Sequence, residues 1–175
     1  LYTFSATKRG RFERLALAAT GLNDPEIILT PNRMEVLFQE ALKLVHTCFN
    51  LSLTLKNAGE VKWIDELILK ELRGACPPHE ALSDEAYTPV CSLLLLVSLV
   101  GEILCHRKGL RGSWQADGAH PFSVALKLKT PGDDLEVTAN LLGQAMMLYS
   151  RGSAEPLTTY LGRVLSDLLP AAPTR

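Results

Sequence analysis

A chain of 175 residues that is 47% hydrophobic and 21% charged is long enough to bury one substantial core and too apolar to be disordered. Its formal net charge of −1 argues against broad attraction to nucleic acid or anionic membranes, although a local patch could still bind either. The expectation is one helical domain over residues 1–175, with no metal or disulfide support.

The first 20 residues, "LYTFSATKRGRFERLALAAT", lack the basic start, apolar centre and small-residue cleavage site of a signal peptide. Of the four cysteines, Cys48, Cys91 and Cys105 fall in helix-like apolar runs, where a reduced thiol behaves as a small hydrophobe. Both features favour a reducing, cytoplasmic setting.

Thr30 and Pro31 open a first strongly patterned helix, in which Met34, Phe38, Ala41, Val45, Cys48 and Phe49 recur every three or four residues. The pattern carries this helix to about Leu55, before Asn57 and Gly59. A second helix, "EVKWIDELILKELRG", aligns Val61, Ile64, Ile68 and Leu72 and stops at Gly74, Pro77 and Pro78. After the loop-like stretch 75–87, Thr88-Pro89 repeats the start signal and opens a nearly charge-free helix to about Arg107. Its first half is apolar all round, which predicts a rod surrounded by other helices. The apolar run 89–101 falls short of the roughly 20 residues that span a bilayer.

Beyond Gly109 the period changes. Asp117-Gly118 is a turn signal, and Phe122, Val124, Leu126 and Leu128 alternate after it, leaving Lys127 and Lys129 to face water. This predicts a small hairpin near 113–129, which needs helices or a further strand to be stable; the N-terminal "LYTF" is one candidate strand. Asp133 and Glu136 form a capping-box pattern that opens a helix with Leu135, Leu142, Met146 and Tyr149 in one stripe. Gly152 ends it, and Ser153 starts a last helix bearing Leu157, Tyr160, Leu161, Val164, Leu165, Leu168 and Leu169. A link of one or two residues would make these helices an antiparallel pair. The predicted fold is mainly α (α+β): five or six helices around a central apolar helix, with one small β-hairpin.

Catalytic signatures are sparse. Cys76, His79, Cys105 and His106 offer four zinc-type ligands, but adjacent Cys105 and His106 diverge by about 100° on a helix and would chelate poorly. His46 and Cys48, two apart, point to opposing helix faces, which disfavours a local nucleophile pair. Cys91 and Cys105 lie about 21 Å apart along one helix, too far to bond. No phosphate-binding loop, dinucleotide fingerprint or nucleophile elbow occurs, and Asp133-Asp134 is explained by capping. No cofactor and no metal are expected.

The candidate binding surface is Glu102, His106, Arg107, Lys108, Arg111 and Trp114, where the apolar helix surfaces. Structure accounts for much of it: Glu102 can pair with His106 at i+4, cations suit a helix C-terminus by about 0.3–1 kcal/mol, and Trp114 can pack under the hairpin. The functional reading uses the same arginines and tryptophan as interface anchors. Lys8, Arg9, Arg11 and Arg14 would have to join this patch to build a nucleic-acid stripe, and stacking aromatics are few.

Residues 99–129 resemble uncharacterised bacterial domains in which a Leu-Gly-Glu helix leads to a Gly-Gly-x-Trp strand. The matching pieces are "LVGEIL", with Gly101 and Glu102, and "RGSW", with Gly112 and Trp114; one glycine stands where that pattern has two, and Val100 replaces its Leu. Some domains of this look occur beside bacterial toxin–immunity systems, so the resemblance implies stoichiometric protein binding and transfers no catalytic residue.

The expected function is non-catalytic protein binding, of a bacterial interaction or immunity type, with another protein as partner. The alternatives are a small-ligand or enzymatic pocket between the central helix and the hairpin, with Glu102 and His106 as acid–base groups, and a nucleic-acid-associated role for the local basic patch. Self-association through the leucine stripe of the last helix is a further expectation.

Overall fold

The computed structural model describes residues 5–20, 31–72, 84–116, 124–132, 135–152 and 154–168. Within them six α-helices and a three-stranded antiparallel sheet follow in the order α1 (Ser5–Thr20), α2 (Pro31–Phe49), α3 (Val61–Glu66), α4 (Asp84–Cys105), β1 (Arg111–Ala116), β2 (Val124–Lys129), β3 (Glu136–Ala139), α5 (Leu141–Ser150) and α6 (Leu157–Ser166). A short 3₁₀ turn (Ala58–Glu60) leads into α3, which runs on as a π-helical segment (Leu67–Leu72). The mainly α (α+β) architecture matches the sequence expectation.

Helix α4 is the axis of the molecule. Residues 91–101 are buried without interruption, and α1, α2, α5 and β1 all pack on it. Ser98 is accommodated in this apolar setting because its hydroxyl donates to the carbonyl of Leu95 at 2.6 Å, within its own helix. The helix begins at Asp84, one turn before the Thr88-Pro89 signal, and ends at Cys105, close to the expected Arg107. Among the described residues no helix is long and apolar enough to cross a membrane.

Helix α1 was not resolvable from hydrophobic pattern, because four cations between Lys8 and Arg14 interrupt it. Its buried stripe is narrow: Phe12, Ala16 and Thr20, four apart, are fully buried. It runs antiparallel to α2, with Phe12 against Phe49 (ring centroids 5.1 Å apart) at one end and Arg33 bonding the Thr20 carbonyl at the other.

In α2 the expected stripe is present, with Met34, Leu37, Ala41, Val45 and Cys48 buried and Phe38 and Phe49 partly so. The helix stops at Phe49 rather than near Leu55. Asn50 takes a left-handed conformation (φ 54°), and its N–H bonds the His46 carbonyl at 2.9 Å, an αL cap that asparagine tolerates. Beyond it partly buried Leu51 and Leu53 alternate with exposed Ser52 and Thr54, and buried Leu55 turns the chain with a second left-handed backbone (φ 59°). Glu60, itself buried, holds this segment by accepting from the Thr54 N–H at 2.8 Å and the Thr54 hydroxyl. Val61, Ile64, Ile68 and Leu72 are buried as their spacing predicts.

The sheet has the order β1-β2-β3, with Trp114 opposite Leu126 and Leu126 opposite Ala139. Its inner face, Trp114, Val124, Leu126, Leu128 and Ala139, is buried. Arg111, Ser113, Gln115 and Lys129 are exposed on the outer face. The Asp117-Gly118 turn, Phe122 and "LYTF" lie outside the described residues. The third strand is β3, which corrects the expected helix start: residues 136–139 pair with β2 instead of forming the first turn after Asp133, itself outside the described residues. β-branched Val137 and Thr138 suit a strand, and pairing them covers the open edge of β2. Leu135 is therefore 56% exposed and Met146 42% exposed, so only Leu142 and Tyr149 of the expected stripe are buried.

Helix α5 starts at Leu141, capped by Asn140, whose Oδ1 accepts from the Gly143 N–H at 3.0 Å. The α5–α6 connection spans residues 151–156 and is longer than expected; Ser153, the expected cap, lies outside the described residues. Asp65 of α3 caps α6 from across the chain, accepting from the N–H groups of Leu157 (2.7 Å) and Thr158 (3.0 Å) and from the Thr158 hydroxyl. Leu157, Leu161, Leu165 and Leu168 are buried, so the leucine stripe of α6 is used inside the chain.

Candidate functional site

The end of α4 and the start of β1 meet in one tight contact. A Cβ on Gly101 would lie 2.1 Å from Cζ2 of Trp114, so the indole rests on the bare helix backbone there. A Cβ on Gly112 would lie 2.7 Å from the Cys105 sulfur and 3.2 Å from Leu128 Cδ2. Gly101, Gly112 and Trp114 thus form one packing junction. Trp114 is 8% exposed, which corrects its place in the candidate surface: the ring faces the core, where burying a large aromatic side chain gains most.

The polar members of the candidate surface stay outside this junction. Glu102 Oε1 and His106 Nε2 are 2.9 Å apart, one helical turn from each other, with His106 exposed and Glu102 half-buried. Arg107 and Lys108 lie in the turn that follows, where Gly109 takes φ 85° and Leu110 bonds back to the Arg107 carbonyl at 3.1 Å. The Leu110 side chain is buried and pins this turn to the core, and Arg111 emerges exposed at the first position of β1. The structure therefore brings Glu102, His106, Arg107, Lys108 and Arg111 to one edge of the molecule.

Where α4 meets β1 the described residues pack closely, with Trp114 against Gly101 and Leu110 buried just before β1 in sequence. Two surface depressions lie elsewhere. One, of about 330 Å³, is lined by Phe49, Leu51, Trp63 and Leu67 with Glu66, Lys70 and Glu71 around them. The other, of about 340 Å³, lies on the outer face of the sheet between Arg111, Ser113, Gln115, Lys127, Lys129 and the carboxylate Glu136. Sequence reasoning placed Lys127 and Lys129 in water but did not join them to Arg111. The signal was available in the alternation of residues 111–115, which sends Arg111, Ser113 and Gln115 to one face; the cross-strand register needed the structure.

The three described thiols, Cys48, Cys91 and Cys105, are poor nucleophiles. Burial pushes Cys105 up to about 11, with the nearby carboxylates Glu102 and Glu35 acting in the same direction. Burial also raises Cys91, against a hydrogen bond with the Thr20 side chain, and Cys48, against the charge of Arg11. Of the zinc-type candidates Cys76 and His79 lie outside the described residues, while His106 turns outward to Glu102. Among the described residues no group of three or more metal-binding side chains converges.

The basic half of α1 sits apart. Arg11 acts on Cys48 near the C-terminal end of α2, whereas Glu35, which acts on Cys105, lies near the N-terminal end. Thirteen residues at 1.5 Å per residue separate those positions by about 20 Å. Arg11 is thereby set toward the opposite end of α2 from Cys105. Arg9 is moreover paired with Glu13 at 3.3 Å. Comparison with protein-family models, with curated proteins and with solved structures finds no match for this chain.

Proposed function

We propose that this chain is a non-catalytic protein-binding domain, of the bacterial interaction or immunity type, that engages its partner through the cationic edge at the end of α4 and the start of β1. The observation that carries the reading is the exposure of Arg107, Lys108 and Arg111 on a turn that buried Leu110 fixes to the core. Cations held on a rigid support speed encounter with an acidic partner and lose little freedom on binding. The resemblance to bacterial domains with a Leu-Gly-Glu helix and a Gly-Gly-x-Trp strand supports the same reading, because its glycine and tryptophan positions build that support. Buried, protonated thiols are in keeping with a reducing, cytoplasmic setting.

The test is capture from the native source on the immobilised chain, followed by reconstitution with the purified partner. The expected result is a partner bound in fixed stoichiometry and released by Arg107→Glu with Arg111→Glu, while circular dichroism of the variant is unchanged. Partner binding that survives both reversals would remove this edge from consideration.

A further inference from the structure

The outer face of the sheet sets like charges side by side. In the antiparallel register Arg111 lies opposite Lys129, and Ser113 opposite Lys127. Opposed like charges on one sheet face cost stability unless something between them is negative. Among the described residues Glu136 is the carboxylate within reach, opposite Lys129 on the other side of β2, but its Oε1 is engaged by Lys127 Nζ at 2.8 Å. Among the described residues Arg111 and Lys129 have no carboxylate at ion-pair distance. They flank the depression of about 340 Å³ whose floor carries Ser113 and Gln115. Beneath that floor Trp114, Leu126 and Leu128 are buried, so the backbone that carries these groups is fixed by the core.

We infer that this depression docks a carboxylate-rich, extended segment of a partner protein, its acidic side chains seated between Arg111 and Lys129 and its polar groups on Ser113 and Gln115. The inference rests on the reading of the chain as a protein-binding domain and names the chemistry of the contact. Charge complementarity selects the occupant: a guanidinium takes a carboxylate through two parallel hydrogen bonds, and the ammonium across the ladder supplies the second charge. A nucleic acid fits less well, since the aromatic side chain of this sheet is turned inward and Glu136 stands on the face that phosphates would cover.

The probe is a fluorescent peptide of about twelve residues alternating Glu and Gly, which places its carboxylates on one side when extended. Its binding to the full chain is followed by anisotropy at low salt, with inorganic phosphate and an oligothymidylate of similar length as competitors. Arg111→Gln and Lys129→Gln are each expected to weaken peptide binding by roughly three-fold, and by about ten-fold together. Glu136→Gln is expected to strengthen it by roughly two-fold, a gain that a merely structural role would not produce. Arg163→Gln, on α6 and paired with Glu155, is expected to change nothing. An indifferent Arg111→Gln/Lys129→Gln double variant, a weakening by Glu136→Gln, or oligothymidylate binding tighter than the peptide would each overturn the inference. A captured native partner that ignores the double variant defeats this inference and leaves the protein-binding reading standing. Peptide docking that follows the variants, in a chain that captures no protein, supports the chemistry of the site and overturns the reading it rests on.

Discussion

Gly101 and Trp114 show how much one missing methyl group decides. The indole lies where a side chain on residue 101 would have to be, so Gly101→Ala forces ring and helix apart. Overpacking of this kind costs about 1–3 kcal/mol, and urea denaturation is expected to show a loss in that range. Trp114→Leu should make room, so the double variant is expected to lose less than the sum of the single ones; strict additivity would show that the two residues do not touch. Cys105 offers a second check at this scale. With its thiol raised to about 11, roughly one molecule in a thousand carries the thiolate at pH 8, against about a quarter for an ordinary cysteine. Alkylation of Cys105 in the folded chain is thus expected to be slower by two orders of magnitude than that of an unperturbed thiol. Its rate should rise about ten-fold per pH unit and level off near pH 11; a plateau near pH 9 would contradict the burial argument.

Elements end and begin where capping and pairing allow. Helix α6 has Pro156 at its N-cap and no cap of its own, so the carboxylate of Asp65 performs that task from α3. Asp65→Ala leaves two buried or half-buried N–H groups without acceptors and is expected to cost about 2–3 kcal/mol, whereas a surface control such as Lys43→Ala should fall within about 0.5 kcal/mol. Periodicity made the buried faces of α2, α3, α4 and α6 legible in the sequence, because apolar residues recur there at helical spacing. It misled at residues 133–139, where a local capping pattern pointed to helix while β-branched Val137 and Thr138 were claimed by the open edge of β2. It was silent on α1, whose buried face is the narrow stripe Phe12, Ala16 and Thr20 amid cations. It carried α2 too far, since Asn50 stops the helix through its own left-handed backbone and the leucines beyond continue the apolar count.

At the scale of the whole molecule, the described core is apolar and a group of cations gathers on one face. α4 is enclosed, α6 spends its leucines inside, and the outer sheet face with the turn before it carries Arg107, Lys108, Arg111, Lys127 and Lys129. On a chain of net charge −1 these residues are a local concentration of cations. The members of the site were legible singly, as exposed cations after a helix and along a strand. Their convergence was not, because it depends on the register of β1 against β2 and on Trp114 turning inward. If this face is the binding surface, association with the captured partner should slow steeply as salt rises, while dissociation changes less; a rate of association independent of ionic strength would remove the electrostatic argument. The most direct measurement is amide hydrogen exchange of the chain, free and bound to its native partner. The account predicts new protection confined to the turn after α4 and to β1 and β2, residues 107–116 and 124–129. Protection that instead falls on the Trp63 groove, with the sheet unchanged, would contradict it.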